Sequence, residues 1–363
     1  MTDDQQQMPL VSIIVPVFNG ETYLTTSLDS ILAQTYPRTE VLVMDDASTD
    51  STAQIIASYG GRLRSLRQPA NRGIYGNMND GLAMARGDLI AIYHADDLYE
   101  PAIVERQVNW LQLHPEAGAV FCKDVFINPE GNERGRLVLP PEVRGNAPLD
   151  YRIILNALLN YKNCFLRCPS CMARAFVYRD IGGYHDKEFK NTADLEMYLR
   201  IAEQYPLGIL DEFLFRYRWG HGNSAQRYRF LRADPERFFL IMDKFLAAGG
   251  TSLAEPAALA AYEAHRAEDH LMRVVNLYIL DRRSEALLVL REIEFRRLIG
   301  SKRIQRWRLL LLFFALHLLV RMPRISLVAK IFHWRWHLDA SRTYRPRRRA
   351  GQFRPPPGQV TKA

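Results

Sequence analysis

The sequence predicts an α/β fold in which a mostly parallel β-sheet is flanked by helices. Between Val11 and Lys123, short apolar runs rich in β-branched residues alternate with segments whose apolar residues recur at helical spacing. Because strands that alternate with helices form βαβ units, most strands of the sheet should be parallel. The length of 363 residues, 48% of them hydrophobic, is enough for a large core and a C-terminal helical extension.

Five apolar runs have the composition of buried strands: residues 11–18, 41–44, 63–66, 89–93 and 119–123. Helical spacing predicts helices at residues 24–32, 74–85, 101–114 and 193–204. A further helix should end at Tyr59, with Ser48 or Thr49 as its N-cap. Residues 128–150 are rich in Pro, Gly and Asn, and this composition predicts a loop.

The pattern divides the chain into five segments. A polar N-terminal arm (1–10) precedes the α/β domain (11–225), which is followed by a helical extension (226–300). A basic segment with an apolar run (301–344) leads to a tail rich in Arg and Pro (345–363), whose composition predicts disorder. From Arg296 onward there are 17 Lys and Arg but one acid, Asp339, so this end carries +16 and the rest −8 of the total +8.

Polar residues stand where three of the predicted strands end. Pro16 and Asn19 end the first strand, Asp45 and Asp46 the second, and residues 94–97 (His-Ala-Asp-Asp) the fourth. In an open parallel sheet, ligands bind beyond the carboxyl ends of the strands. An acidic crevice suits a phosphate ligand only if a divalent cation lies between them, so the pattern predicts a site for Mn²⁺ or Mg²⁺.

These motifs, in their order and spacing over roughly 210 residues, resemble the family 2 glycosyltransferases. Six segments carry the resemblance: residues 11–19 (VSIIVPVFN), 41–50 (VLVMDDASTD), 71–73 (NRG), 85–90 (ARGDLI), 94–97 (HADD) and 181–200 (IGGY, Asp194, Leu199-Arg200). It implies a Rossmann-like GT-A fold and an inverting transfer of sugar from a UDP-, GDP- or dTDP-sugar. The acceptor would be a hydroxyl of a glycan or lipid-linked molecule in cell-surface synthesis.

The resemblance also implies roles for individual residues. Asp97 would coordinate the cation, Asp96 would bind the cation or the ribose, and Asp194 would be the general base. The residues expected to bind the nucleotide sugar are Pro16, Val17, Asn19, Asp46, Asn71, Gly73 and Asp96. Two positions depart from the family pattern: His94 stands where an Asp is frequent, and Ala193 stands where an acid often precedes the base.

His221 leaves two interpretations open. It lies in a segment, residues 218–224, that resembles one closing over the site in this family. Its imidazole could therefore contact the metal or a phosphate, or it could be a solvated loop side chain.

A relative that binds a nucleotide or glycan without catalysis is the alternative function for the whole chain, although Asp97 and Asp194 argue for an enzyme.

Three cysteines, Cys164, Cys168 and Cys171, have the spacing of the cluster-binding triad of radical SAM enzymes. Such a triad would indicate an iron–sulfur enzyme, and zinc is a second possible ligand. The interpretation we favour is three thiols packed like small apolar side chains, because the surrounding residues match the glycosyltransferase pattern. The cysteines do not suggest a disulfide framework, and the chain starts with no secretory signal, so we expect a cytoplasmic protein.

Residues 309–320 form an almost wholly apolar run flanked by arginines and tryptophans. A membrane span needs about 20 apolar residues, so this run predicts a helix lying in the membrane interface, with an ordinary buried helix as the alternative. We expect a peripheral location on the inner face of the cell membrane, with the basic tail near anionic lipid. The sequence contains no nucleic-acid-binding module, which makes nucleic acid an unfavoured partner.

Overall fold

A computed structural model of the chain describes residues 8–220, 231–294 and 303–322. These residues belong to two compact units. The first comprises the described residues up to 154 together with 163–220, and the second comprises 155–162, 231–294 and 303–322.

The first unit is built on a nine-stranded sheet. Its strands are β1 (Val11–Val17), β2 (Thr39–Asp45), β3 (Arg64–Arg67), β4 (Leu89–Ile92), β5 (Leu98–Tyr99), β6 (Ala119–Ile127), β7 (Glu133–Arg136), β8 (Met172–Arg174) and β9 (Leu207–Arg218). Its helices are α1 (Leu24–Leu32), α2 (Thr52–Ser58), α3 (Ile74–Met84) and α4 (Ile103–Leu113), then α6 (Ala175–Ile181), α7 (Asp186–Phe189) and α8 (Ala193–Gln204). Helix α5 (Tyr151–Tyr161) carries residues of both units.

The N-terminal half of the sheet is parallel, in the order β3-β2-β1-β4. All seven residues of β1 are buried, as expected for a strand covered on both faces. The chain order reverses between β1 and β4, so the first βαβ units wind in opposite directions from β1. This reversal places a crevice at the carboxyl ends of these strands.

The other half of the sheet is mixed. Strand β8 pairs antiparallel with both β4 and β6, and β6 pairs parallel with β9. Strands β5 and β7 add antiparallel pairs to β9 and β6. Because β4 and β6 are both antiparallel to β8, they run in the same direction, and their carboxyl ends lie on the same edge of the sheet.

The α/β prediction is confirmed, and two local predictions are wrong, the loop at residues 128–150 and the N-cap of the second helix at Ser48 or Thr49. Residues 128–150 contain β7 and a short 3-10 helix, Pro141–Val143, rather than only loop; β7 reads Glu-Arg-Gly-Arg and lacks any apolar alternation. The second helix begins at Thr52, where the Asp50 carboxylate accepts the backbone N–H at 3.0 Å. Ser48 does not cap it, because its hydroxyl instead accepts the Asn19 N–H at 2.9 Å.

The second unit is helical throughout its described parts. Its helices are α9 (Arg237–Ala247), α10 (Pro256–Ile279), α11 (Arg283–Arg291) and α12 (Arg303–Leu319). Its apolar core joins residues of α10 and α11 to Phe313, Leu316 and Val320. Within the described residues, no helix has the length and apolar character needed to cross a bilayer. The predicted tail, 345–363, lies outside the described residues.

Candidate functional site

The candidate site lies at the edge of the sheet where β1, β2, β4, β6 and β9 end. The backbone immediately after β4 carries His94, Asp96 and Asp97, as the sequence predicts. Sequence reasoning did not anticipate β9, whose last residue, Arg218, reaches the same place. The structure therefore brings residues from both halves of the sheet to one edge.

Asp97 is fully buried and only half satisfied. Its Oδ1 accepts the backbone N–H of Arg218 at 2.8 Å, whereas its Oδ2 has no hydrogen-bond partner among the described residues. Burial raises the pKa of Asp97, and the neighbouring Asp96 carboxylate adds to this effect. A buried acid with an unsatisfied oxygen is a position where a bound cation would compensate the cost of burial.

His94 and Asp96 complete a group of candidate metal ligands with Asp97. One ligand atom from each of the three side chains lies within 4.8 Å of the other two. The His94 Nε2 is buried without a hydrogen-bond partner in the described structure. Burial lowers the pKa of His94, which keeps the imidazole neutral and able to coordinate near pH 7. These donors fit a divalent cation, and His94, which stood out only as a departure from the family pattern, belongs to the set.

Arg218 holds the segment of candidate metal ligands, residues 94–97, in place. The side chain is 4% exposed, and its guanidinium donates to the backbone carbonyls of Asp96 (2.9 Å), Pro129 (2.8 Å) and Asn128 (3.2 Å). It also lies 4.4 Å from the ring centroid of Tyr23. One side chain therefore ties the segment after β4 to the segment after β6. The only sequence signal for this role was its place in the motif of residues 218–224.

Asp46, Asn71 and Gly73 meet beyond the end of β2. The two carboxylate oxygens of Asp46 accept the backbone N–H groups of Arg72 (2.7 Å) and Gly73 (2.9 Å). The Asn71 amide contacts the Asp46 carbonyl at 3.4 Å and accepts the Gly73 N–H at 3.1 Å. Gly73 has φ of +78°, a conformation that favours glycine, and immediately precedes α3. Asp46 thus shapes this loop directly, and no contact of its carboxylate with a nucleotide is needed to explain its position.

Pro16 and Val17 are buried in β1, paired with Met44 and Asp45 of β2. Asn19 follows them on the surface with φ of +51°, and its side-chain oxygen accepts the backbone N–H of Thr49 at 2.8 Å. The ends of β1 and β2 are therefore locked together.

Asp194 lies in the first turn of α8 and is partly buried. Burial raises its pKa, while the backbone N–H of Leu195 and the hydroxyl of Tyr75 donate to the carboxylate and lower it. Tyr75 is itself buried, near the start of α3. The candidate base is therefore held from two helices, and its proton affinity is higher than that of an exposed aspartate.

Cys164, Cys168 and Cys171, the three cysteines with the spacing of an iron–sulfur triad, are all buried. Burial raises the pKa of Cys168 and of Cys171, the latter to about 12, so both remain protonated thiols. Thiols in this state pack as apolar side chains. His221, the remaining candidate ligand, lies outside the described residues.

Comparisons with known proteins agree with this geometry. Residues 12–182 match the family model described as glycosyl transferase family 2. The putative glycosyltransferase EpsE of Bacillus subtilis is 31% identical over 221 residues, which cover 58% of this chain and 73% of EpsE. An uncharacterized glycosyltransferase of Rickettsia typhi is 32% identical over 203 residues, covering 54% of this chain and 61% of that protein.

Solved structures show the same fold at low sequence identity. Staphylococcus aureus TarS, residues 1–349, superposes with a TM-score of 0.55 at 18% identity, covering 93% of this chain and 91% of that one. TarS has also been solved with UDP-GlcNAc, at a TM-score of 0.55 and 19% identity. A mannosyltransferase from Pyrobaculum calidifontis, in complex with GDP-Man and Mn²⁺, gives 0.52 at 20% identity, with 92% and 86% coverage. The architecture is the GT-A fold.

Proposed function

The chain belongs to glycosyl transferase family 2, and from this premise we propose that it transfers a sugar from a nucleoside diphosphate to an acceptor hydroxyl. The observation that carries the proposal is the group of candidate metal ligands His94, Asp96 and Asp97 at the carboxyl end of β4. Among the described residues, the His94 Nε2 and the Asp97 Oδ2 are buried without a hydrogen-bond partner. In support, the TarS and mannosyltransferase structures contain UDP-GlcNAc and GDP-Man. We propose the ends of β1 and β2, with Pro16, Val17, Asn19, Asp46, Asn71 and Gly73, as the nucleotide side of the crevice.

We propose that Asp97, Asp96 and His94 hold the divalent cation, with His221 as a further candidate. Mn²⁺ is supported by its presence in the Pyrobaculum calidifontis enzyme, and Mg²⁺ has similar ligand preferences. Such a cation, when bound, stabilises negative charge on the departing diphosphate. The Arg218 backbone N–H donates to the Asp97 Oδ1 and so orients the carboxylate, which leaves Oδ2 for the cation with little rearrangement on binding.

Asp194 is the proposed general base. It would accept the proton of the acceptor hydroxyl while the acceptor oxygen bonds to the anomeric carbon and the bond to the phosphate oxygen breaks. A single displacement of this kind inverts the anomeric configuration. The raised pKa supports the assignment, because a base is most effective when its pKa lies near the working pH. The hydrogen bond from Tyr75 keeps the carboxylate oriented.

The enzyme proposal is tested with a panel of UDP-, GDP- and dTDP-sugars. Calorimetric binding and nucleotide release are measured for the full chain with Mn²⁺, with Mg²⁺ and with a chelator. We expect one donor class to bind and turn over only with the metal, and Asp97→Ala to abolish turnover. Metal-dependent binding without release of nucleotide would instead support the non-catalytic relative.

We further propose that α12 lies against a membrane surface. Trp307, Leu311, Phe314, Leu318 and Met322 are each 41–70% exposed and share one face, while Phe313, Leu316 and Val320 are buried on the other. An exposed apolar stripe of this length, in a region with an excess of basic residues, suits the interface of an anionic bilayer. Four buried free thiols are consistent with a reducing compartment and thus with the cytoplasmic face, where cell-surface or lipid-linked glycans would be assembled.

Co-sedimentation with vesicles tests the membrane proposal. Wild type should bind phosphatidylglycerol vesicles more strongly than phosphatidylcholine vesicles, and Leu311→Glu/Leu318→Glu should reduce binding. Leu288→Glu is the matched control, because Leu288 is 59% exposed on α11 but lies outside the stripe. Equal binding of all three proteins, or none by wild type, would contradict the proposal.

A further inference from the structure

A buried ion pair, Asp124 with Arg167, lies near the carboxyl end of β6 and has no part in the roles assigned above. Asp124 is on β6 and is fully buried, and its Oδ1 is 3.5 Å from the Arg167 Nε. Within the described residues, neither carboxylate oxygen of Asp124 accepts a hydrogen bond that meets normal geometry. The carboxylate therefore has acceptor capacity that the protein itself does not use.

The Arg167 guanidinium is held by two aromatic rings. It lies 5.4 Å from the ring centroid of Phe126 and 5.6 Å from that of Tyr217. These rings belong to neighbouring residues of the paired strands β6 and β9. Burying two charges costs free energy that their attraction often fails to recover, so a buried pair with unused acceptors is a candidate for a binding role.

The Asp124–Arg167 pair lies near both the proposed metal ligand, Asp97, and the proposed base, Asp194. Asp124 lies near the carboxyl end of β6, on the sheet edge that also carries Asp97 after β4. The Asp124 charge acts on Asp97, and the Arg167 charge acts on Asp194, so the pair is near the proposed metal ligand and near the proposed base. The candidate ligand group of residues 94–97 does not include Asp124, and Arg167 beside it disfavours a cation there.

In the proposed reaction, the transferred sugar would occupy the space between the metal ligands and the base. Its anomeric carbon would be joined to the diphosphate near the metal, and the acceptor hydroxyl would approach that carbon from near the base. A carboxylate accepts hydrogen bonds from sugar hydroxyls, and a guanidinium donates to them. A phosphate is a poorer occupant, because Asp124 is negative.

We propose that Asp124 and Arg167 form the subsite for the ring hydroxyls of the transferred sugar and so help to select the donor sugar. This inference rests on the proposed function, since it concerns the sugar carried by the same donor. It assigns the nucleotide to the β1 and β2 side of the crevice and the sugar to the β6 side. The two halves of the sheet thereby recognise the two halves of the donor.

The test compares nucleotide with nucleotide sugar. Kd values of UDP, UDP-glucose and UDP-GlcNAc, and of GDP and GDP-mannose, are measured with Mn²⁺ for wild type, Asp124→Asn and Arg167→Met. The expected result is an unchanged Kd for the nucleotide alone, with affinity for the matching sugar nucleotide reduced by about 10- to 100-fold, the range for a lost hydrogen bond to a charged group. Its turnover should fall by at least the same factor.

Asp269→Asn is the matched control, because Asp269 forms a buried ion pair with Arg232 in the second unit. Thermal unfolding of every variant is recorded, and Arg167→Met serves alone if Asp124→Asn does not fold. A purely structural pair would weaken nucleotide and sugar nucleotide binding equally, or neither, and either result overturns the inference. If the wild type binds no sugar nucleotide more tightly than the nucleotide alone and transfers no sugar, the proposed function fails. If the wild type is active and both variants behave like it, only the sugar subsite is refuted.

Discussion

Replacing Arg218 with methionine should destabilise the first unit and weaken the metal site together. Methionine retains the length of the side chain but leaves the carbonyls of Asp96, Asn128 and Pro129 without their donor. A hydrogen bond from a charged group contributes about 1.5–3 kcal/mol, so losing the two shorter bonds should cost at least about 3 kcal/mol. For a unit of this size, that corresponds to a decrease in Tm of roughly 6–12 °C.

The same substitution should lower Mn²⁺ affinity about 10- to 100-fold, the effect usually seen when a group that orients metal ligands is removed. Thermal unfolding and Mn²⁺ titration measure the two effects. Arg216→Met is the matched control, because Arg216 lies two residues earlier in β9 and pairs with Glu100 at the surface. Its stability should change by less than about 1 kcal/mol, as for other exposed pairs. Equal behaviour of the two variants would refute the anchoring role of Arg218.

Three further substitutions give separable results. Asp194→Asn should leave donor binding intact and reduce turnover by about 10²- to 10⁴-fold, and turnover within a few-fold of wild type would mean that another group is the base. Burial raises the pKa of Asp194, and the base acts when deprotonated, so activity should be lost on acidification at a higher pH than for an ordinary aspartate. Tyr75→Phe removes a hydrogen bond that lowers this pKa, so the loss of activity should move to still higher pH. A pH profile that does not move would contradict the contact between Tyr75 and Asp194. Gly208→Ala should destabilise by about 1–3 kcal/mol in chemical unfolding, because its Cβ would lie 2.3 Å from the Trp110 ring, and a neutral effect would show that β9 can shift.

The sequence allowed the parallel half of the fold to be predicted, because β1, β2 and β4 are covered on both faces and appear as continuous apolar runs. Strand β9 was missed since Asp211 and Glu212 interrupt its apolar pattern, and its pairing with β6 is irregular beside them. Strand β8 has three residues, too few to show any periodicity.

The candidate site likewise contains some residues that local sequence predicts and others that depend on contacts between distant segments. Asp96 and Asp97 follow a recognisable strand, so their neighbourhood could be predicted from local sequence. The contribution of Arg218 could not, because it depends on a register between β9 and the segment after β4, 121 residues apart in the chain. Asp124 and Arg167 were missed for a similar reason: each is unremarkable in its own segment, and only the packing of β6 against the loop before Cys168 brings them together.

The most direct test of the account is the fate of the sugar in a reaction followed by proton NMR. With the donor selected from the panel, wild type and Mn²⁺ should release nucleoside diphosphate and give a product whose anomeric configuration is inverted. Chelation of the metal or Asp97→Ala should stop both. Release that continues at the wild-type rate in Asp97→Ala, or after chelation, would contradict the assignment of the reaction to the His94, Asp96 and Asp97 site.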